Sequence, residues 1–198
     1  MRQFIVSGHD APITAEFSLD DLAGAAGRLD VLCRCVSSAF FLSHAIREEV
    51  RTYLVLSDEF TVRFEGGELR RLNPDERSTA ALIRKALKER EEAIGHMEVE
   101  TSPGVYLSRR GFEPTLEAAS GSGTVVQLHE EGEPAIDVEP PSDPVFVLSD
   151  YREFADSEAA LLGTGADERV RLGPRPLHAN HAITVAHNWL DTDGFERY

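Results

Sequence analysis

Short apolar runs alternate along this chain with stretches whose apolar residues recur at helical spacing, a period that switches between two and 3.6. The pattern predicts a strand over 2–7, a helix over 29–48, a strand over 51–56, a polar hairpin near 60–72 and a helix over 74–92. It continues with a strand over 104–108, a short helix over 112–119, strands over 124–130 and 145–149, a helix over 156–162, a strand over 168–172 and a closing helix over 177–190. Strands that alternate with helices imply an α/β fold, a mostly parallel sheet with helices on both faces. Residues 131–144, rich in acids and prolines, read as a surface loop.

The last segment is the most specific. Val170 and Leu172 alternate with Arg169 and Arg171, Gly173 and Pro174 break the strand, and Pro176 falls where a first helical turn begins. A rigid loop therefore follows the C-terminal end of a strand, the edge at which open α/β sheets bind ligands. Two earlier strands end the same way, in Val125–Gly132 and Val145–Asp150. Read blandly, these are three parallel core strands; read functionally, they are three turns around one ligand.

Length and charge narrow the picture. At 198 residues the chain forms one domain or two small ones, with enough length for a sizeable core. No apolar stretch approaches a membrane span and no leader is recognisable, so a cytoplasmic protein is expected. Cys33 and Cys35, two apart in a helix, face different ways and fit neither a disulfide framework nor a zinc site. The net charge of −15 would ordinarily exclude a nucleic-acid partner. Yet of 20 basic residues only Lys85 and Lys88 are lysines, beside 35 acids, a balance expected of a halophilic protein kept soluble in salt. RNA binding would then depend on concentrated arginines, and Arg28, Arg34, Arg47, Arg51, Arg70, Arg71 and Arg77 all fall in the first half.

The order strand, Leu172-Gly-Pro-Arg-Pro-Leu177, helix resembles the last cofactor loop of the SPOUT RNA methyltransferases. Together with Gly27–Arg47, Leu69-Arg-Arg-Leu-Asn-Pro-Asp-Glu-Arg-Ser78 and Leu128-His-Glu-Glu-Gly132, it is similar to the archaeal tRNA pseudouridine-54 N1-methyltransferases, over about residues 4 to 190. The resemblance implies one SPOUT domain over 1–198 with a C-terminal trefoil knot at about 124–190. It also implies a homodimer and S-adenosylmethionine as cofactor. The cofactor positions matched by the resemblance are Leu128, Leu148, Ser149, Leu172, Gly173, Pro174, Arg175, Pro176, Leu177 and Ala182. Glycine is common in the family where Ser149 stands, and cysteine where Ala182 stands; a serine still offers its backbone, and alanine implies that no thiol is needed there.

Such a reaction requires a methyl held in line with N1 of the base, an outlet for the N1 proton and cations for phosphate. Pseudouridine alone leaves N1 free, because its ribose is joined through carbon. Asp75 is the first candidate for assisting proton removal, Arg77 for holding phosphate, and Asp30, flanked by Arg28 and Arg34, is the rival carboxylate. The structural alternative is a helix start, with Asn73 as cap, Pro74 in the first turn and Glu76 completing a capping box. Arg28, Arg34, Arg47, Arg70 and Arg71 are the candidate RNA contacts, the Arg70–Arg71 pair foremost. His178, His181 and His187 are read as surface or interface residues, with no metal site. Ile183, Ala186, Trp189 and Leu190 give the closing helix an apolar stripe for the core and a partner subunit. An rRNA substrate, or a non-catalytic RNA- or nucleotide-binding module, stands as the alternative reading.

Overall fold

The computed structural model describes residues 1–121 and 123–198. The chain runs β1 (Arg2–Gly8), α1 (Leu29–Phe40), β2 (Val50–Leu56), β3 (Phe60–Glu65), α2 (Glu76–Lys88), β4 (Val99–Ser102) and β5 (Val105–Ser108). It continues through α3 (Phe112–Ser120), β6 (Thr124–Pro134), a 3-10 turn (Ala135–Asp137), β7 (Pro144–Ser149), α4 (Asp156–Gly165), β8 (Glu168–Arg171) and α5 (Ala179–Asp191). The strands form one sheet in the order β4-β5-β3-β2-β1-β7-β6-β8. The strands from β2 to β8 in that order pair in parallel, and β3, β5 and β4 extend the sheet by antiparallel pairing.

Alternation along the central strands divides the core. Phe4 and Val6 of β1, Leu54 and Leu56 of β2, and Phe146 and Leu148 of β7 join α1, α2 and α5 on one face. Ile5, Tyr53, Val55, Val145 and Val147 face α3 and α4 on the other. Both faces are buried, which is why these strands read as nearly continuous apolar runs. Trp189 of α5 lies fully buried against Phe146, ring centroids 6.3 Å apart, and its indole nitrogen has no hydrogen-bond partner among the described residues.

Several elements depart from the sequence expectation. The first helix stops at Phe40 rather than 48: Phe41 is extended and bridges Ile46, and Leu42 is exposed, so the buried stripe ends there. The segment expected as a polar hairpin begins with β3, whose Phe60, Val62 and Phe64 are buried in the sheet. Ser57 and Asp58, with φ of 47° and 55°, make the tight turn that delivers it. α2 starts at Glu76, and its cap is Asp75, whose carboxylate accepts from the Ser78 N–H at 2.7 Å; Asn73 lies outside the helix. β4 was not expected. β6 extends to Pro134, through the first part of the acidic segment read as loop.

β6 also meets β8 twice, because Val170 is matched with Leu128 and again with Glu133. Gly132 lies between, where an added Cβ would stand 2.6 Å from the Val170 carbonyl carbon, so no larger residue fits.

Candidate functional site: a cleft where three strand ends meet

The C-terminal ends of β7 and β8 and the irregular middle of β6, at 128–130, open into one cleft of about 250 Å³, closed on the far side by the start of α5. Leu128, Leu148, Ser149, Leu172, Gly173, Arg175, Pro176, Leu177 and Ala182 all line it. Nine of the ten cofactor positions expected from sequence therefore come together. The tenth, Pro174, lies on the other side of its loop, in a second hollow of about 330 Å³ with Ile136 and Phe195.

Local chemistry shapes the cleft floor. The prolines keep the chain from 173 to 177 out of both β8 and α5, and the N–H groups of Gly173, Arg175 and Leu177 make no backbone hydrogen bond among the described residues. A Cβ on Gly173 would come no nearer than 3.8 Å to the rest of the protein, at Arg175 O. The hydroxyl of Ser149, also at the cleft, is buried with no partner among the described residues. Unpaired donors and an orphan hydroxyl fit a polar ligand held largely by backbone, as the adenosine and amino-acid parts of S-adenosylmethionine would be.

One wall is the continuous stretch Asp150–Phe154, which the sequence reading did not include. The only signal for it was the polar run Ser149-Asp-Tyr-Arg-Glu153 directly after an apolar strand. Behind this wall His9, at the end of β1, lies between two carboxylates. Its Nδ1 is 3.2 Å from Asp150 Oδ1 and its Nε2 is 2.8 Å from Glu158 Oε2. Burial pulls its pKa down, but bonding to Glu158 and Asp150 outweighs this and leaves it raised.

At the rim, Tyr151 donates to Asp10, and the Arg28 and Arg152 guanidiniums approach its ring at 5.3 and 5.7 Å. Gly27, at φ 54°, presses so closely on Asp10 O that a Cβ would lie 1.7 Å away, and this tight corner brings Arg28 to the rim. Asp30 is buried behind Arg28, bonded to its Nε at 3.0 Å and to Arg34 Nη1 at 2.8 Å. Burial raises the Asp30 pKa, and the two guanidiniums overcome that to hold it below the usual carboxylate range.

Asp75 and Arg77 do not line the cleft. The start of α2 instead meets α1 and the loop after β1, through Glu76 to Arg34 and Arg77 to Asp20. Arg90, just beyond α2, meets the same loop, bonding Ile13 O at 3.1 Å. The expectation that this helix start faces the cofactor turns is corrected to this extent: neither Asp75 nor Arg77 is among the residues that line the cleft. Asp75 serves as the cap, and Arg77 pairs with Asp20.

The arginines divide in the same way. Arg28 and Arg34 are bound to Asp30, Arg34 also to Glu76, and Arg47 to Asp191. Among the described residues Arg70, Arg71, Arg171 and Arg175 make no ion pair, and Arg171 and Arg175 stand at the cleft. His178 and His181 are exposed, with rings 5.9 Å apart. His187, expected at the surface or an interface, is buried within the chain, its Nε2 donating to Ala39 O at 3.0 Å. Ile183, Ala186 and Trp189 are likewise buried within the chain, against α1 and the sheet, so these side chains are not free to meet a partner.

A sequence profile described as "Putative SAM-dependent RNA methyltransferase" matches residues 1–195. A Haloarcula marismortui protein named tRNA (pseudouridine(54)-N(1))-methyltransferase is 76% identical over 198 residues, covering all of both chains. Proteins of the same name from Haloferax volcanii and Thermococcus kodakarensis are 72% and 41% identical, covering 100% and 96% of this chain and 100% and 99% of theirs. Among solved structures, Archaeoglobus fulgidus Nep1 bound to S-adenosylhomocysteine superposes with a TM-score of 0.62 at 12% identity, over 96% of each chain, a likeness of fold.

Proposed function

The chain belongs to this family of S-adenosylmethionine-dependent RNA methyltransferases, and from that premise we propose that it methylates N1 of pseudouridine 54 in tRNA. The observation that carries the reading is the convergence of β6, β7 and β8 on one cleft whose loop N–H groups and Ser149 hydroxyl have no partner among the described residues.

When bound, S-adenosylmethionine supplies an electrophilic methyl group on a sulfonium. The backbones of Leu128, Leu148 and residues 172–177 would hold it, with Ser149 adding a hydroxyl and Ala182 leaving room. Pro174 acts by stiffening the loop from its outer side. The N1 proton of pseudouridine is imide-like, so a nearby positive charge favours its departure. Arg28 at the rim offers that charge, and Asp30 is its positioning residue: a carboxylate held by two guanidiniums is a weak base but a firm anchor. The proton leaves to water in this scheme. Arg70, Arg71, Arg171 and Arg175, which make no ion pair among the described residues, are the phosphate contacts. Arg34 and Arg47 serve chiefly to brace the helices.

Residues 1–198 act in this reading as one domain, with the double meeting of β6 and β8 as part of a knot over about 124–190. A homodimer would use exposed apolar groups beside the cleft, such as Ile136 and Leu177, rather than the buried face of α5. The acidic surface and the halophilic relatives support work at high salt, in the cytoplasm where tRNA is processed.

The test uses one tRNA transcript with uridine or pseudouridine at position 54, labelled S-adenosylmethionine and nucleoside analysis of the product. Label is expected on N1 of pseudouridine and absent from the uridine transcript. Equal methylation of both would overturn the N1 assignment, and preferential labelling of an rRNA fragment would favour the ribosomal reading.

A further inference from the structure

The cleft wall formed by Asp150–Phe154 is fastened at both ends to a single side chain that lies outside the cleft. At its start, Asp150 Oδ2 accepts the His9 main-chain N–H at 3.0 Å while Oδ1 lies 3.2 Å from Nδ1 of the same residue. Beyond its other end, Glu158 Oε2 lies 2.8 Å from His9 Nε2 and also accepts the Ala155 N–H at 2.8 Å, closing the first turn of α4. The two carboxylate side chains are 3% and 7% exposed. Ionised carboxylate oxygens only accept hydrogen bonds, so each ring nitrogen needs its own proton. A neutral imidazole satisfies one of them and sets a lone pair against an oxygen at the other.

We propose that His9, as an imidazolium, is a positioning residue for methyl transfer, stapling residues 150–158 so that the wall is preformed for S-adenosylmethionine. This rests on reading the cleft as the cofactor site.

Among the described residues, the surroundings offer no other cation to replace the ring. From β1, Ser7 donates to the remaining Glu158 oxygen; from the loop, the Arg152 N–H donates to Asp150 at 2.9 Å. The Arg152 guanidinium is turned to Asp10, which also takes the Tyr151 hydroxyl, and Arg28 is committed to Asp30. From the β2–β3 turn, Ser57 donates to the His9 carbonyl at 3.1 Å. Loss of the ring proton would leave the two buried carboxylates one ring N–H to share and no cation between them.

The sign follows from the raised pKa. The staple is complete below the ordinary histidine value of about 6.5 and is lost as pH rises through the higher folded value. Cofactor affinity should fall over the same range. Reciprocally, bound S-adenosylmethionine should raise the His9 pKa further.

Calorimetry of S-adenosylmethionine binding from about pH 6 to about pH 9, paired with an NMR titration of the His9 ring with and without the cofactor, tests this on the native protein. His9→Asn and His9→Gln each keep one amide donor, toward Asp150 or Glu158, and remove the charge. Both are expected to bind about tenfold or more weakly near pH 6. They should lose the pH dependence, and should raise KM for S-adenosylmethionine with kcat at saturation retained. Native affinity that ignores pH, a His9 titration unmoved by the cofactor, or variants that bind like the native protein would overturn the proposal. No binding by the native protein at any pH would instead reject the cleft as the cofactor site.

Discussion

His187 and His9 occupy opposite electrostatic settings within one molecule. His9 lies between two acids, whereas His187 donates Nε2 to Ala39 O and offers Nδ1 to Arg2. Burial, then Arg47 and Arg2, push the His187 pKa down to about 3. The unfolded chain takes up this proton near pH 6.5, so stability falls as pH drops from there toward the folded value. His187→Gln should flatten that loss: between about pH 6.5 and about pH 5 the native protein is expected to lose about 2 kcal/mol more than the variant, measured by denaturant unfolding. Asp30→Asn should leave S-adenosylmethionine affinity intact and lower kcat about tenfold or more, since Arg28 then loses its charged anchor; unchanged turnover would remove Asp30 from the mechanism. These residue roles were only partly legible in the sequence. Asp30 could be seen between Arg28 and Arg34, but nothing in the spacing of His187 distinguishes a buried imidazole from an exposed one. His9 gave no signal, because its partners are 141 and 149 residues away.

At the level of elements, Gly132 within β6 and Gly173 in the loop after β8 should behave oppositely. Gly173 has space around it, so Gly173→Val is expected to fold and lose S-adenosylmethionine binding, because the new side chain obstructs a ligand's approach to the loop backbone. Gly132 has none, and Gly132→Ala should destabilise the β6–β8 junction directly, seen as a lowered unfolding midpoint. If the folded Gly173→Val protein binds normally, the loop is not the cofactor floor. Asp75→Ala should cost about 1 kcal/mol through loss of the α2 cap, with Asp75→Asn nearly neutral. The parallel strands were readable because burial on both faces makes them continuous apolar runs. β4 and the end of α1 were not, since the first is a four-residue edge strand and the second is set by a tertiary bridge between Phe41 and Ile46.

Across the whole molecule, charge and topology separate what the chain tolerates from what it binds. A net charge of −15 on 198 residues repels itself, and salt screens that repulsion over about 10 Å at 0.1 M and about 3 Å at 1 M. The thermal midpoint should therefore rise from dilute buffer to molar salt; a midpoint that falls would contradict a halophilic surface. The three turns of the site were legible as separate strand ends, and their meeting depends on a strand order in which β1 and β7 lie between β2 and β6. That order is a property of the whole sheet and leaves no mark on local spacing.

Trp189 gives this topology an optical reporter. It is the sole tryptophan of the chain, fully buried in the last helix against a central strand. Intrinsic emission thus reads a single event, the seating of α5 on the sheet, while far-ultraviolet ellipticity reads all helices together. During refolding the emission shift should lag behind the ellipticity, because the final helix docks on a sheet whose neighbouring strands must already be paired. Coincident signals would show that the closing helix assembles with the rest.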